Sequence, residues 1–321
     1  MQRGSTLEQL PLGADGQRVA IDNARKSLGT IILGKDEKIS LSMACLLARG
    51  HLLIEDLPGL GKTMLAQALA RVLGLSYQRI QFTSDLLPAD IVGVSIFRQS
   101  DGEFKFQPGP VFAQLVLADE VNRATPKAQS ALLEAMEEQQ VSVDGQTHAL
   151  PEPFFVVATQ NPSDQIGTFP LPESQLDRFL MRLELGYPNE ESERALITGR
   201  DRRQMLEEIE ATLSPELVTE LQEAVEKVHM SGPLVDYVQA LVRFTRESPD
   251  IETGLSPRGS LALVAAAKAH AFILHHSGVF PDDVQAVFAA VAGHRLKPAS
   301  GSSYRSPGEL SRHVLDSVAI P

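Results

Sequence analysis

The sequence has no tryptophan, a single cysteine and few aromatic residues, 5% of 321 positions. A lone Cys45 excludes an intrachain disulfide, a Cys-based zinc cluster and a Cys-x-x-Cys redox pair, and it fits a reducing compartment. Basic residues are in deficit. Lys and Arg number 29 against 41 Asp and Glu, which gives a formal net charge of −12 and a pI of about 5.2. Such a chain gains little by neutralising phosphate backbones, so nucleic acid is not the expected partner. Long apolar runs are missing too. Residues 261–274 come nearest to the roughly 18 needed to span a bilayer, but Lys268 and His270 interrupt them, so no transmembrane segment is expected. Residues 1–17 are polar and lack an apolar stretch of signal-peptide length, which predicts a flexible N-terminal segment on a soluble, cytoplasmic protein.

Up to residue 187, short β-prone runs alternate with helical patterns, the signature of a parallel α/β sheet. The predicted strands are 51–55, 77–82, 115–118, 154–159 and 181–185. Several are apolar at consecutive positions, as strands covered on both faces should be. Asp101-Gly102 separates runs 96–99 and 103–107, and Asp144-Gly145 separates 141–143 and 147–150. Asp-Gly tolerates the positive φ of a tight turn, so each is predicted to be a β-hairpin inserted beside the core. After Gly186-Tyr187-Pro188 the strand signals vanish. Predicted helices follow at 190–205, 215–228, 234–247, 257–276 and 282–294, then a Ser-, Gly- and Pro-rich loop at 297–308 and a short helix. The expected organisation is an α/β core over 1–187 and an all-α domain over 188–321.

Between the first strand and a helical run stands Asp56-Leu57-Pro58-Gly59-Leu60-Gly61-Lys62-Thr63-Met64. Glycines let backbone N–H groups close round phosphate oxygens, and the helix N-terminus adds a favourable partial charge. Lys62 would reach the β- and γ-phosphates, and the Thr63 hydroxyl would ligate Mg²⁺. Asp56 takes the first position of the usual Gly-x4-Gly-Lys-Thr pattern, so the strict pattern is broken. Strand 115–118 runs into Asp119 and Glu120, where a carboxylate would meet nucleotide phosphates in this fold class. Asp119 would hold the Mg²⁺ shell and Glu120 would deprotonate the attacking water. Strand 154–159 leads to Asn161, whose amide could bond the γ-phosphate and that water. Arg178 in Leu-Asp-Arg-Phe and Arg258 in Ser-Pro-Arg could stabilise charge on the transferred phosphoryl group, although most arginines make surface salt bridges.

The order Gly-Leu-Gly-Lys-Thr, Ala-Asp-Glu-Val-Asn-Arg-Ala, Ala-Thr-Gln-Asn-Pro, Leu-Asp-Arg-Phe and Ser-Pro-Arg resembles an AAA+ ATPase, specifically of the MoxR family, over residues 20–295. The resemblance implies an AAA+ P-loop core with a parallel sheet and inserted hairpins, followed by an all-α lid. It also implies roles. Pro58, Gly59, Leu60, Gly61, Lys62, Thr63 and Met64 would form Walker A, and Asp119 and Glu120 Walker B. Asn161 would be sensor 1, Arg178 an arginine finger acting in trans, and Arg258 sensor 2 on the lid. Arg123 is a second candidate for the intersubunit arginine. Leu33 and Gly34, within Ile-Leu-Gly-Lys, would pack on adenine. ATP and Mg²⁺ are the implied cofactors. The implied assembly is a homo-oligomeric ring, expected to have six members. Its implied partners are a separate protein with a von Willebrand factor A-type domain and an unidentified client, with metal insertion or complex maturation as the setting.

Two other functions fit the same residues. One is a nucleotide-switched assembly module in which turnover is incidental, and the other is a P-loop kinase acting on a small acceptor. A DNA-remodelling relative is disfavoured by the −12 charge. His270, His275 and His276 share one predicted helix without a carboxylate at ligand spacing, and they are expected to be packing or solvated residues.

Overall fold

The five apolar runs are the strands of one parallel sheet. The computed structural model describes residues 13–100, 102–162, 167–304 and 306–320. Two helices, α1 (Ala14–Ile31) and α2 (Asp36–Leu47), precede β1 (Leu52–Glu55), α3 (Lys62–Val72), β2 (Tyr77–Gln81) and α4 (Pro88–Val92). An antiparallel pair follows, β3 (Gly93–Arg98) with β4 (Glu103–Pro108). Next come β5 (Leu115–Asp119), α5 (Pro126–Glu138) and a second pair, β6 (Gln140–Val143) with β7 (Gln146–Ala149). The core ends with β8 (Phe155–Gln160), α6 (Glu173–Leu176) and β9 (Met181–Leu183).

The sheet order is β2-β5-β8-β1-β9, with every neighbour parallel. Strand side chains alternate between the two faces. Leu52, Ile54, Leu115, Leu117, Phe155 and Val157 join the cluster of α1, α2 and α3, whereas Leu53, Val116, Ala118, Val156 and Ala158 pack with α5 and Ile91 of α4. The two-sided burial that the apolar runs imply is therefore met.

Both predicted hairpins form. Asp144 and Gly145 take φ of 50° and 76°, as a two-residue turn with primed geometry requires. In the other, Gly102 has φ of 69°, and Asp101 lies outside the described residues. The expectation of a flexible segment over 1–17 changes at its end, because α1 already begins at Ala14, and residues 1–12 lie outside the described residues.

The second domain holds α7 (Glu190–Thr198), α8 (Arg202–Glu208), α9 (Pro215–Glu226), α10 (Gly232–Glu247), β10 (Ile251–Thr253), α11 (Pro257–Ile273), α12 (Pro281–Ala292), β11 (Lys297–Pro298) and α13 (Pro307–Ser317). The predicted helix 190–205 is two helices. A Cβ on Gly199 would stand 2.4 Å from the Ala195 carbonyl, and Asp201 starts α8 afresh by accepting the Arg203 N–H at 2.8 Å. The domain is helical as expected, with one short antiparallel pair, β10 and β11, added to it; strands of three and two residues are too short to leave a periodic signal. Helix α11 stops at Ile273 because His275 turns to φ of 61°.

Candidate active site

Strand β1 ends at Glu55, which pairs with Arg182 of β9 at 2.9 Å, and the chain then turns through Asp56–Gly61 into α3. Gly59 and Gly61 sit at φ of 86° and 89°, and a Cβ on either would meet nothing within 4 Å. Backbone conformation alone demands glycine there, and the backbone stays approachable. The first N–H groups of α3 point into this loop without intrahelical partners, which makes it an anion cradle. The Lys62 ammonium donates to the carbonyls of Asp56 and Leu57. Thr63 and Met64 line the same cleft, about 860 Å³ in volume, with Gly59, Gly61, Lys62 and Arg79. Pro58 is exposed and Leu60 half-buried in the turn.

The departure at Asp56 has a structural purpose. One carboxylate oxygen accepts the Leu57 N–H at 2.8 Å and the other the Gly186 N–H at 2.7 Å. Asp56 thus ties the phosphate loop to the segment that leaves the sheet for the second domain. Lys35 reinforces that seam by donating to the Tyr187 carbonyl at 2.6 Å, and Gly34 lies against Ser192 at the start of α7. Leu33, half-buried, belongs to the same seam.

Because β5, β8 and β1 are consecutive in the sheet, Asp119, Asn161 and the phosphate loop stand side by side at its C-terminal edge. Asp119 is buried, with one oxygen accepting the Thr159 hydroxyl at 2.5 Å and the other accepting Arg79 Nε and Nη2 at 3.1 and 2.6 Å. Glu120 takes the left-handed conformation, φ of 57°, which swings its side chain off the strand line. Its N–H donates to Thr159 Oγ1 at 2.9 Å, and its carboxylate accepts Gln81 Nε2 at 2.9 Å and Arg123 Nη1 at 3.0 Å. Asn161 is buried directly after β8, and its carbonyl faces Asn122 Nδ2 at 3.5 Å. Arg79 and Gln81 carry no sequence motif, and their only signal is period-two placement on a strand whose pairing the sequence does not state. Thr159 lies inside the Ala-Thr-Gln-Asn-Pro string, but the string alone does not assign it a partner.

Arg178 and Arg258 are not brought to Lys62. The Arg178 Nη1 donates to the Leu133 carbonyl at 2.6 Å, its Nε lies 3.6 Å from Glu137, and Arg258 Nη2 is 2.5 Å from the same carboxylate. The hydrogen bond from Arg258 holds the Glu137 carboxyl below its ordinary pKa. A cleft of about 350 Å³ contains His51, Glu137, Arg178, Arg258 and Arg295. His51 immediately precedes β1 and the phosphate loop follows it, so the length of β1, roughly 13 Å at about 3.3 Å per residue, separates the two clefts. An Arg258 folding over the phosphates of its own chain is therefore not what the structure contains. Arg295 anchors the arginine cluster. Its Nε bonds Asp177 at 2.6 Å and its Nη2 bonds the Phe179 carbonyl at 2.8 Å, on either side of Arg178. Ser256, which caps α11 ahead of Arg258, reaches the same Asp177 at 3.4 Å. His51 accepts the Val156 N–H at Nδ1 and faces the Met136 carbonyl through Nε2, and burial lowers its pKa to about 4, so it is a neutral packing residue.

Among the described residues, no three His, Cys, Asp or Glu side chains are grouped to hold a metal by themselves. The oxygen donors of Thr63 and Asp119 instead fit Mg²⁺, which is commonly held by one or two protein oxygens together with substrate phosphates. No helix among the described residues is long and apolar enough to cross a membrane.

Residues 51–181 match the model of the ATPase family associated with various cellular activities (AAA), and residues 243–316 match the AAA lid domain. Chaperone MoxR1 of Mycobacterium tuberculosis is 39% identical over 98% of this chain and 86% of its own length. The Bacillus subtilis protein YeaC is 43% identical over 94% of this chain and 95% of its own. A solved structure of a candidate ATPase from Cytophaga hutchinsonii superposes with a TM-score of 0.86 at 35% identity, over 96% of this chain and 97% of that one. Identity of this order over nearly the whole length goes beyond a shared fold, and the chain belongs to the MoxR family of AAA+ ATPases.

Proposed function

We propose that this chain hydrolyses ATP with Mg²⁺ in a ring whose nucleotide sites are each completed by Arg178 and Arg258 of the neighbouring subunit, and that turnover remodels a partner protein. The observation that carries this reading is the placement of both arginines at the opposite end of β1 from Lys62, where neither serves its own phosphate loop. Arg123 is held at Glu120 on the phosphate side of its own sheet, whereas Arg178 stands at Glu137 in the other cleft, and that placement favours Arg178 as the finger. We read residues 1–187 as the nucleotide-binding core and 188–321 as the lid.

Within one site, the α3 N-terminus, Gly59, Gly61 and Lys62 bind the phosphates, while Leu33 and Gly34 at the seam take the base. Thr63 and Asp119 would hold Mg²⁺, which neutralises phosphate charge when bound. Glu120 accepts the proton of the attacking water, and Asn161 orients that water. The neighbour's arginines stabilise charge on the transferred phosphoryl group. The ring is read as hexameric and the location as cytoplasmic. A chaperone role carries over from the name of the mycobacterial relative. A separate von Willebrand factor A-type protein as partner, with metal insertion as one setting, comes from the family resemblance of the sequence strings alone.

Phosphate release and light scattering on mixed variants test this. Lys62→Ala and Arg178→Ala are each expected to be inactive alone, and mixed subunits should recover activity, because some interfaces then pair an intact loop with an intact finger. Arg178→Ala that hydrolyses normally while assembled would remove the trans assignment. One observation favours the nucleotide-switched alternative: Glu120 Oε2 is engaged by Gln81 Nε2 at 2.9 Å and Arg123 Nη1 at 3.0 Å of its own chain, bonds that must break before that oxygen can take a proton from water. Under that reading Glu120→Gln keeps partner binding and biological activity, whereas a motor binds ATP and stalls.

A further inference from the structure

Arg79 stands on β2, one strand over from Asp119. It points to the same sheet face because Arg79 and Gln81 are two apart and Gln81 pairs in register with Asp119. Two of its N–H groups converge on Asp119 Oδ2, at 3.1 and 2.6 Å, and Nη2 also reaches Gln81 Oε1 at 2.8 Å. Oδ1 of that carboxylate already accepts the Thr159 hydroxyl. The Asp119 side chain is 10% exposed and that of Arg79 48% exposed, so the guanidinium covers the carboxylate on its open side. Arg79 also lines the cleft of Lys62 and Thr63.

We propose that Arg79 is a counter-ion that competes with a divalent cation for Asp119, and that it transfers to nucleotide phosphate oxygens when that cation binds. This rests on the reading of Asp119 as the metal-shell carboxylate. A buried carboxylate is costly to leave unpaired, so a cation must occupy it when no metal does. Two cations on one oxygen repel, so a metal held at Oδ2 displaces the guanidinium. The planar fork of an arginine suits phosphate oxygens, and the cleft it already lines is the one that would hold them. Lys62 behaves alike, resting on the Asp56 and Leu57 carbonyls within the same cleft.

The two halves predict effects of opposite sign. Mn²⁺ binding to the nucleotide-free protein, read by electron paramagnetic resonance, should tighten about tenfold or more in Arg79→Ala, since no charge-assisted bonds need breaking. ADP binding in EDTA, read by calorimetry, should weaken about tenfold in the same variant through loss of a phosphate contact. Arg79→Lys keeps the charge without the fork and should fall between, which also guards against a folding defect in Arg79→Ala. Unchanged or weaker Mn²⁺ binding in both variants would overturn the counter-ion role, and unchanged ADP binding would overturn the transfer to phosphate. Failure of the wild type to bind ADP or ATP under any condition would instead defeat the ATPase reading, and the Mn²⁺ comparison would still decide the role of Arg79.

Discussion

Asp56 is the residue at which this phosphate loop departs from the general pattern, and its two bonds explain why the departure is tolerated. A glycine there would leave the N–H groups of Leu57 and Gly186 without their acceptor. Both bonds are only partly buried, so Asp56→Ala is expected to cost about 0.5–1.5 kcal/mol for each one lost. Thermal denaturation should report the loss, and ADP titration should report weaker binding because the loop is no longer tied to the seam. Unchanged melting and affinity would mean that water replaces the carboxylate. The residues of local motifs, Lys62, Thr63, Asp119, Glu120 and Asn161, were legible because each follows its own strand within one short string. Arg79 and Gln81 were not legible, nor was the role of Thr159, which sits in the Ala-Thr-Gln-Asn-Pro string but bonds to Asp119 and Glu120 on the next strand. Their roles come from neighbouring strands, and β2 carries no string that announces which strand it pairs with.

At the scale of elements, helices α11 and α12 are joined through one buried carboxylate. Asp283 accepts His270 Nδ1 at 2.8 Å, His276 Nδ1 at 3.0 Å and the Phe280 N–H at 2.9 Å, which begins α12. Burial by itself would raise the pKa of this carboxyl, but the bonds from His270, Phe280 and His276 outweigh it and leave it lowered. A lowered carboxyl contributes its full stability above the unfolded carboxyl pKa, near 4, and loses it as pH falls through the lower folded value. Asp283→Asn should therefore lower the urea midpoint at pH 7 and narrow its gap to the wild type at the acid end of that range. A constant gap would assign the effect to shape. The sequence grouped His270, His275 and His276 and discounted them as metal ligands; the structure pairs His270 and His276 with Asp283 on the next helix and His275 with Asp22 of α1 at 3.0 Å.

At the scale of the molecule, the two sequence-defined domains do not have separate cores. One buried cluster runs from α1 and α2 through one sheet face to α9, α11 and α12. Helix α2, buried from Ile39 to Leu47, is covered by the second domain as much as by the first. A fragment of residues 1–187 should therefore aggregate or lack a cooperative transition, whereas the whole chain should melt in a single step, as size-exclusion chromatography and calorimetry would report. A soluble, cooperatively folded fragment would show that α2 closes the core without the lid. Fixed packing of this kind makes the chain a body that presents Arg178 and Arg258 at one end of β1 and the phosphate loop at the other.

By itself the sequence determined the parallel α/β core, both inserted hairpins, the helical second domain and the phosphate loop, because apolar periodicity, Asp-Gly turns and glycine at positive φ act over a few residues. Tertiary structure alone decided the strand order that puts Arg79 on Asp119, the tie from Asp56 to Gly186, and the end of the sheet to which Arg178 and Arg258 belong. Each of these depends on pairing between segments far apart in the chain, and no local preference encodes which distant partner a strand or helix will meet.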